Sequence, residues 1–444
     1  MKLTYNIHDK PKVGQLIVFA VQQLLAIMAA TLVVPVIVGN GMQPTAALFG
    51  AGVGTLVYVA FTKGRSPVFL GSSFAFIGSM AAAFAGAVSV QAGYLGLIIG
   101  AIFAGLVYVI IALVVKAVGV KWIDRLMPKQ VIGPTVAIIG LSLAGNAIGD
   151  LQTGNYQVDG APTANVLLCV LCGLVALFVT MLCSVYSKKT GKLFPFIFGI
   201  LSGYALAALF TVIGTAIGND ALKIINFSVF SSVTGVISLP EFTFLTAMKG
   251  FSGITPAYLS TLAVAYIPVA LVVFAEHIAD HKNISTIIEK DLLEDPGLHR
   301  TLLGDGVGSM AGALFGGCPN TSYGESVACV AITGNASVIT IITAACGCML
   351  IAFITPFVAF VNSIPSCVMG GVCMALYGFI AVSGLKMVQK VDLEDNRNLF
   401  TVSAILIAGI GGLTLNFGGI QITAVATALI IGIIVNAMLN RKKS

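Results

Sequence analysis

Four acidic residues stand where ionised groups are expensive. Glu276, Asp280, Asp305 and Glu325 fall within or at the edges of long apolar stretches, whereas most other acids of the chain lie in polar connections. An ionisable group at that depth marks a functional site by default. Glu276 and Asp280 are four residues apart and share one helix face. Glu325 follows a Pro/Gly-rich break, and Asp305 lies near the inner end of its apolar segment. No basic residue within the apolar segments can pair with Glu276 or Glu325. Unpaired acids at depth can accept N–H donors from a ligand. They can also exchange protons, because burial favours the neutral form of a carboxyl group. The two properties together describe proton-coupled uptake of a small, flat, N–H-bearing solute. Plainer roles exist for some of these residues: Asp280 at a cytoplasmic mouth, Asp305 bonding the backbone of a broken helix. His277 points to another face than Glu276 and is expected to pack or hydrogen-bond; His281 is expected in a loop.

Two short segments flank this chemistry. Residues 66–76 read Ser-Pro-Val-Phe-Leu-Gly-Ser-Ser-Phe-Ala-Phe, and residues 316–326 read Gly-Gly-Cys-Pro-Asn-Thr-Ser-Tyr-Gly-Glu-Ser. Each places Pro and Gly in an apolar segment and then Ser or Thr before a helical stretch, a helix-start signal. Matching interrupted segments point to the central site of a transporter. Free N–H groups at such helix starts would face ligand carbonyl oxygens. Phe74, Phe76 and Tyr323 could sandwich a ring, although each is also an ordinary core residue type.

The elements that position these residues follow from composition. Hydrophobic residues make up 58% of the 444-residue chain and charged ones 9%, against about a quarter charged in soluble domains. So little charge cannot cover a soluble surface. Stretches 14–38, 92–115, 163–186, 192–217, 256–279 and 338–361 are long enough to cross a hydrocarbon core as helices. Residues 1–13 do not read as a cleaved leader, and the run after them is too long for one. The nine cysteines sit almost entirely in apolar runs. Cys169 and Cys172 have metal-ligand spacing but no partner pair, so packing is the expected role. Metal motifs and Lys-ended phosphate loops are missing from the sequence; no metal, cofactor or catalysis is expected. The net charge of +6 reflects topology rather than nucleic-acid binding.

Segmentation gives about fourteen crossings, seven before and seven after the 218–255 connection. With a cytoplasmic N-terminus, 21 of the 23 Lys and Arg fall on the inner side, and only Lys223 and Lys249 fall outside. The positive-inside rule thus places both termini in the cytoplasm of a cell-membrane protein. An odd number of spans per half inverts the second half relative to the first. The expected fold is an all-α polytopic membrane protein: a seven-span repeat (1–217), an extracellular linker (218–255) and an inverted repeat (256–444), with broken half-helices at spans 3 and 10.

Several motifs carry a resemblance. Gly71 to Ile77, Glu276-His-Ile278, Lys290 to Arg300, Pro319 to Glu325, Ala331 to Thr333, and Pro365 to Gly378 resemble the nucleobase–ascorbate transporter family, in particular its bacterial uracil-permease branch, over essentially the whole chain. The resemblance implies a core domain from spans 1–4 and 8–11, a gate domain from spans 5–7 and 12–14, and a homodimer. It implies uracil as solute and the proton as coupling ion. Glu276 and Glu325 would bond the pyrimidine, Phe74 and Tyr323 would line its ring, and backbone N–H groups around Ser73, Phe74 and Gly324 would meet its oxygens. Tyr377 would close over the site from the gate domain. Asp280, Glu276 and Glu325 would handle the coupling proton. There are departures: Asp280 replaces a coupling histidine and matches xanthine-type relatives, the first span reads Gln22-Gln23, and the family signature appears as Glu325-Ser-Val-Ala with Thr333 retained. Glu325 favours a pyrimidine, since purine-type members carry glutamine there. A xanthine or uric acid permease is the nearest alternative. An anion transporter of the same fold is opposed by the uncompensated carboxylates.

Overall fold

The structure, a computed structural model, describes residues 3–119, 122, 128–187, 194–231, 233, 235–417 and 420–440. Nine of the basic residues used to orient the chain, such as Lys188 and Arg441, lie outside them. The first half contains α1 (Val13–Val38), α2 (Pro44–Phe61), strand β1 (Leu70–Ser72), a 3-10 turn at Phe74–Phe76, α3 (Ile77–Ala85) and α4 (Val90–Val118). These are followed by α5 (Lys129–Ser142), α6 (Ala144–Leu151), α7 (Val166–Tyr186) and α8 (Pro195–Ile217), with a short hairpin of β2 (Gln157–Val158) and β3 (Ala161–Pro162). The second half contains α9 (Pro256–Ile288), α10 (Leu298–Gly316), strand β4 (Asn320–Ser322), α11 (Gly324–Thr333) and α12 (Val338–Ile351). It continues with α13 (Thr355–Ser363), α14 (Ser366–Val388), α15 (Asn396–Ile410) and α16 (Ala424–Leu439).

Among the described residues eight helical runs are long and apolar enough to cross a membrane, α5 and α6 counting together as Lys129–Leu151, and five apolar helices are shorter. The shorter ones include the pieces after each break, as the Pro/Gly patterns of spans 3 and 10 require. Two boundaries differ from the sequence reading. The 338–361 stretch is not one helix but two, α12 and α13, with a turn between them. The apolar stretch 256–279 does not mark the end of its helix: α9 runs more than two turns further, to Ile288.

The helices pack in two groups. α1–α4 pack against α9–α12, whereas α5–α8 pack against α14–α16. In the first group the closest approach is built from glycine. Gly304, Gly308, Gly312 and Gly316 recur every fourth residue on α10 and face α2. A Cβ on Gly308 would lie 2.7 Å from the Gly54 carbonyl oxygen. On another face of α10, a Cβ on Gly306 would lie 3.0 Å from the Gly105 oxygen of α4. Small residues are the usual device for close helix packing in lipid, where burial supplies no hydrophobic drive between helices.

β1 and β4 pair antiparallel, Leu70 opposite Ser322 and Ser72 opposite Asn320. They occupy equivalent positions in the two halves, and an antiparallel crossing is what a two-fold axis in the membrane plane produces. Outside the spans, Asp295 bridges Arg65 (2.6 Å) and Lys290 (2.7 Å). Lys290 and then Arg65 hold its carboxyl at about 2, below the usual range.

Gly308→Val is expected to wedge α2 from α10 and to destabilise the protein by about 1–3 kcal/mol. Detergent-phase melting would register this as a clear drop in transition temperature; an unchanged transition would contradict the close packing.

Candidate functional site

The crossing strands carry the backbone through the breaks without leaving polar groups bare. Phe69 N–H donates to Ser326 Oγ (3.0 Å) and Leu70 N–H to Thr55 Oγ1 (2.9 Å). Ser73 N–H donates to the Pro319 carbonyl (2.9 Å), and Tyr323 N–H to that of Phe69 (3.2 Å). The Tyr323 hydroxyl donates to the Ser72 carbonyl (2.6 Å), over Gly71, whose missing side chain leaves room for the ring. Irregular backbone at membrane depth persists only when satisfied internally in this way.

Both breaks then open into helices with no side chain capping their starts. The first N–H groups of α11 therefore have no capping side chain, at the end of the helix where an acceptor atom is favoured. These two starts meet α9 around a cavity of about 410 Å³. Ser73, Phe74, Glu276, Asp280, Tyr323, Gly324 and Glu325 all line it. The opposite wall comes from the other helix group: Val136 and Ile139 of α5, Phe196 of α8, and Leu376, Phe379 and Ser383 of α14. Glu276 and Asp280 are one turn apart on α9, and Ser322 Oγ lies 3.5 Å from Asp280 Oδ2. Among the described residues no Lys or Arg lines the cavity, and none of their ion pairs involves Glu276, Asp280 or Glu325. Among the described residues the site is thus three carboxylates, two helix starts and several aromatic rings, Phe74 and Tyr323 at the breaks, without a compensating cation. Such a surface suits a neutral ligand that both donates and accepts hydrogen bonds.

The other expected positions fall elsewhere. Tyr377 does not line this cavity; it is buried, with its ring edge-on to Phe74 at 6.0 Å. It faces a second, apolar cavity of about 180 Å³ between α5, α6 and α14. Phe76 turns away and stacks on Tyr266 at 5.6 Å, so it does not join Phe74 and Tyr323 around a ligand. Asp305 lies behind the wall, fully buried, with Oδ2 2.5 Å from His277 Nδ1; His277 Nε2 is 3.0 Å from Thr301 Oγ1. His277 is thus a hydrogen-bonding core residue. His281 is not a loop residue: it is buried in α9, its ring stacked on His277 at 3.9 Å, with Nε2 2.7 Å from the Tyr58 hydroxyl. The packed, hydrogen-bonding role expected of His277 is what the structure shows, whereas the burial of His281 had no signal in the sequence beyond its i, i+4 spacing from His277. The bond from Gln23 Nε2 to Ser326 Oγ was likewise unforeseen; both residues stand at positions where the chain departs from its family's pattern. Cys169 and Cys172 are buried packing residues, and no metal-holding cluster occurs among the described residues.

Comparison with known proteins agrees with this architecture. The family model Xan_ur_permease, a permease family, matches residues 14–435. The uracil permease of Bacillus subtilis (strain 168) is 36% identical over 450 residues, covering 100% of this chain and 96% of the relative. The uracil permease of Escherichia coli (strain K12) is 34% identical over 431 residues, covering 96% and 92%. The transmembrane domain of a cyanobacterium bicarbonate transporter superposes with a TM-score of 0.63 at 14% identity, covering 97% of this chain and 98% of that one; that likeness is one of fold. The broken half-helices, the matched motifs and the full-length similarity together make this chain a membrane-embedded member of the nucleobase–ascorbate permease family.

Proposed function

We propose that the protein imports uracil in symport with protons by alternating access. The observation that carries this reading is the cavity with Glu276 and Glu325, a helix start that no N-cap side chain closes and the Phe74 ring, with no Lys or Arg among the described residues that line it. Uracil presents ring N–H donors, carbonyl acceptors and a flat face, which these groups complement in turn. Full-length relatives that are named uracil permeases support the choice of solute. An anion is disfavoured because three uncompensated carboxylates would repel it. Asp280, one turn from Glu276 and within reach of Ser322, is the group we assign to proton exchange, with the two glutamates as its partners. A ligand moves a two-state equilibrium only through differential affinity; protonation joined to uracil binding supplies that difference.

In this reading the helices packed around β1 and β4 form the core domain that shifts against the gate helices α5–α8 and α14–α16. Both termini are cytoplasmic in a cell-membrane homodimer. Ser184, Pro195, Ser383 and Met387 also belong to the cavity wall; with cytoplasmic termini they lie toward the inner side, and we assign the conformation as inward-facing on that basis. Xanthine is the competing solute, on the strength of Asp280.

Labelled uracil uptake into proteoliposomes tests the proposal. An inward proton gradient should stimulate uptake, and unlabelled xanthine should not block it; strong block by xanthine would transfer the assignment to a purine permease. Glu325→Ala is expected to weaken uracil binding at least about tenfold, the scale of a lost hydrogen bond to a charged group, while the protein still folds. Normal affinity in that variant removes Glu325 from the site. Asp280→Asn should flatten the pH dependence of uptake, and an unaltered profile would exclude Asp280 from coupling.

A further inference from the structure

The N-terminal segment is not a free tail. Thr4 and Tyr5 N–H groups both donate to the Gly334 carbonyl, at 2.7 and 3.2 Å. Ala336 N–H donates to the Tyr5 carbonyl (2.9 Å) and Val338 N–H to that of Ile7 (3.0 Å). Ser337 Oγ donates to the Asp9 carbonyl at 2.6 Å. Tyr5 and Asn335 form a parallel bridge, and Ile7 is 7% exposed. The Tyr5 hydroxyl then donates to Gln15 Oε1 (2.6 Å) on the first turn of α1, and its ring packs edge-on to Phe19 at 6.0 Å. Residues 4–9 therefore strap the α11–α12 connection to the base of α1.

The strapped connection is the C-terminal end of α11, the ten-residue half-helix with Glu325 in its first turn. Gly334 caps α11 in the left-handed region (φ 67°), and Thr4 closes over it. The other end of α11 is held by Ser326, which accepts from Gln23 of α1 and from Phe69 N–H. Ala328, Cys329 and Ile332 between these ends form part of the cavity wall. A half-helix this short lacks the length to fix its own position in the bilayer. Beyond its packing on α1 and α9, it is held at its two ends, and one of those attachments is the strap.

We propose that residues 4–9 are a positioning element of the transport site, holding α11 so that Glu325 and the adjoining N–H groups face the cavity. The proposal deepens the reading of Glu325 as a nucleobase ligand and rests on it. Releasing the strap lets α11 tilt about Ser326, loosening the site without unfolding the bundle. Placement errors of about 1 Å at such a site weaken function by orders of magnitude.

The test uses the full chain with Ile7→Asp, which puts a carboxylate into the strap's buried contact, and separately Tyr5→Pro, which removes one of the two donors to Gly334 together with the hydroxyl bond to Gln15 and the ring contact with Phe19. Two readouts are taken on monodisperse protein: the uracil KM and Vmax in proteoliposomes, and the maleimide labelling rate of Cys329, followed by peptide mass mapping with Cys172 of α7 as internal control. The expected result in both variants is a KM raised about tenfold with Cys329 labelled several-fold faster and Cys172 unchanged. Unchanged KM and unchanged Cys329 labelling would overturn the proposal. Equal acceleration at Cys329 and Cys172 would also overturn it, as the mark of general loosening. Faster Cys329 labelling with no uracil uptake by the unaltered protein would instead sink the uracil reading and leave the strap's hold on α11 standing.

Discussion

The constraint on which the structure depends is that no backbone N–H or C=O can stay bare at membrane depth. A transport site needs helix starts in the middle of the bilayer, and a helix start needs non-helical backbone before it. The chain meets both demands by crossing β1 and β4. Each strand uses the other's backbone groups, and the remainder are taken up by Thr55, Ser326 and the Tyr323 hydroxyl. The glycines of α2 and α10 follow from the same demand. Asn320 reaches across to the Gly50 carbonyl at 3.0 Å only because α2 and α10 come together without side chains between them.

The second determinant is charge. Three carboxylates share one cavity wall, and among the described residues no Lys or Arg joins them there. Carboxylate oxygens grouped in this way present acceptors to the N–H donors of a ligand. The solved bicarbonate transporter domain has a similar fold at 14% identity, and a shared fold does not by itself choose a solute. Behind the wall, Asp305, His277 and Thr301 hold one another, and His281 is tied to Tyr58 and, through it, to Ser66. These buried bonds fix the rotation of α9 and hence the face that carries Glu276 and Asp280.

Much of this was legible in the linear chain because lipid imposes simple rules. Scarcity of charge, apolar runs of span length and the sidedness of Lys and Arg define a helical membrane protein. Pro and Gly in two matching places announce the broken helices. The acids stand out because nothing near them in sequence neutralises them. The extension of α9 to Ile288 was hidden, since polar residues such as His281, Lys282 and Asn283 read as a loop until the tertiary fold buries one face of that helix.

By itself, then, the sequence determined the solvent, the helical class, the two interrupted segments and the identity of the acids, all of which depend on composition and spacing along one strand of chain. Only the tertiary structure decided which of these residues share a wall. Phe74 faces the cavity while Phe76, two residues on, stacks on Tyr266; Tyr377 backs Phe74 from behind rather than lining the cavity; and Thr4 to Asp9 meet a connection more than three hundred residues away. Each outcome turns on the rotation and crossing of helices distant in sequence, which local propensity does not encode.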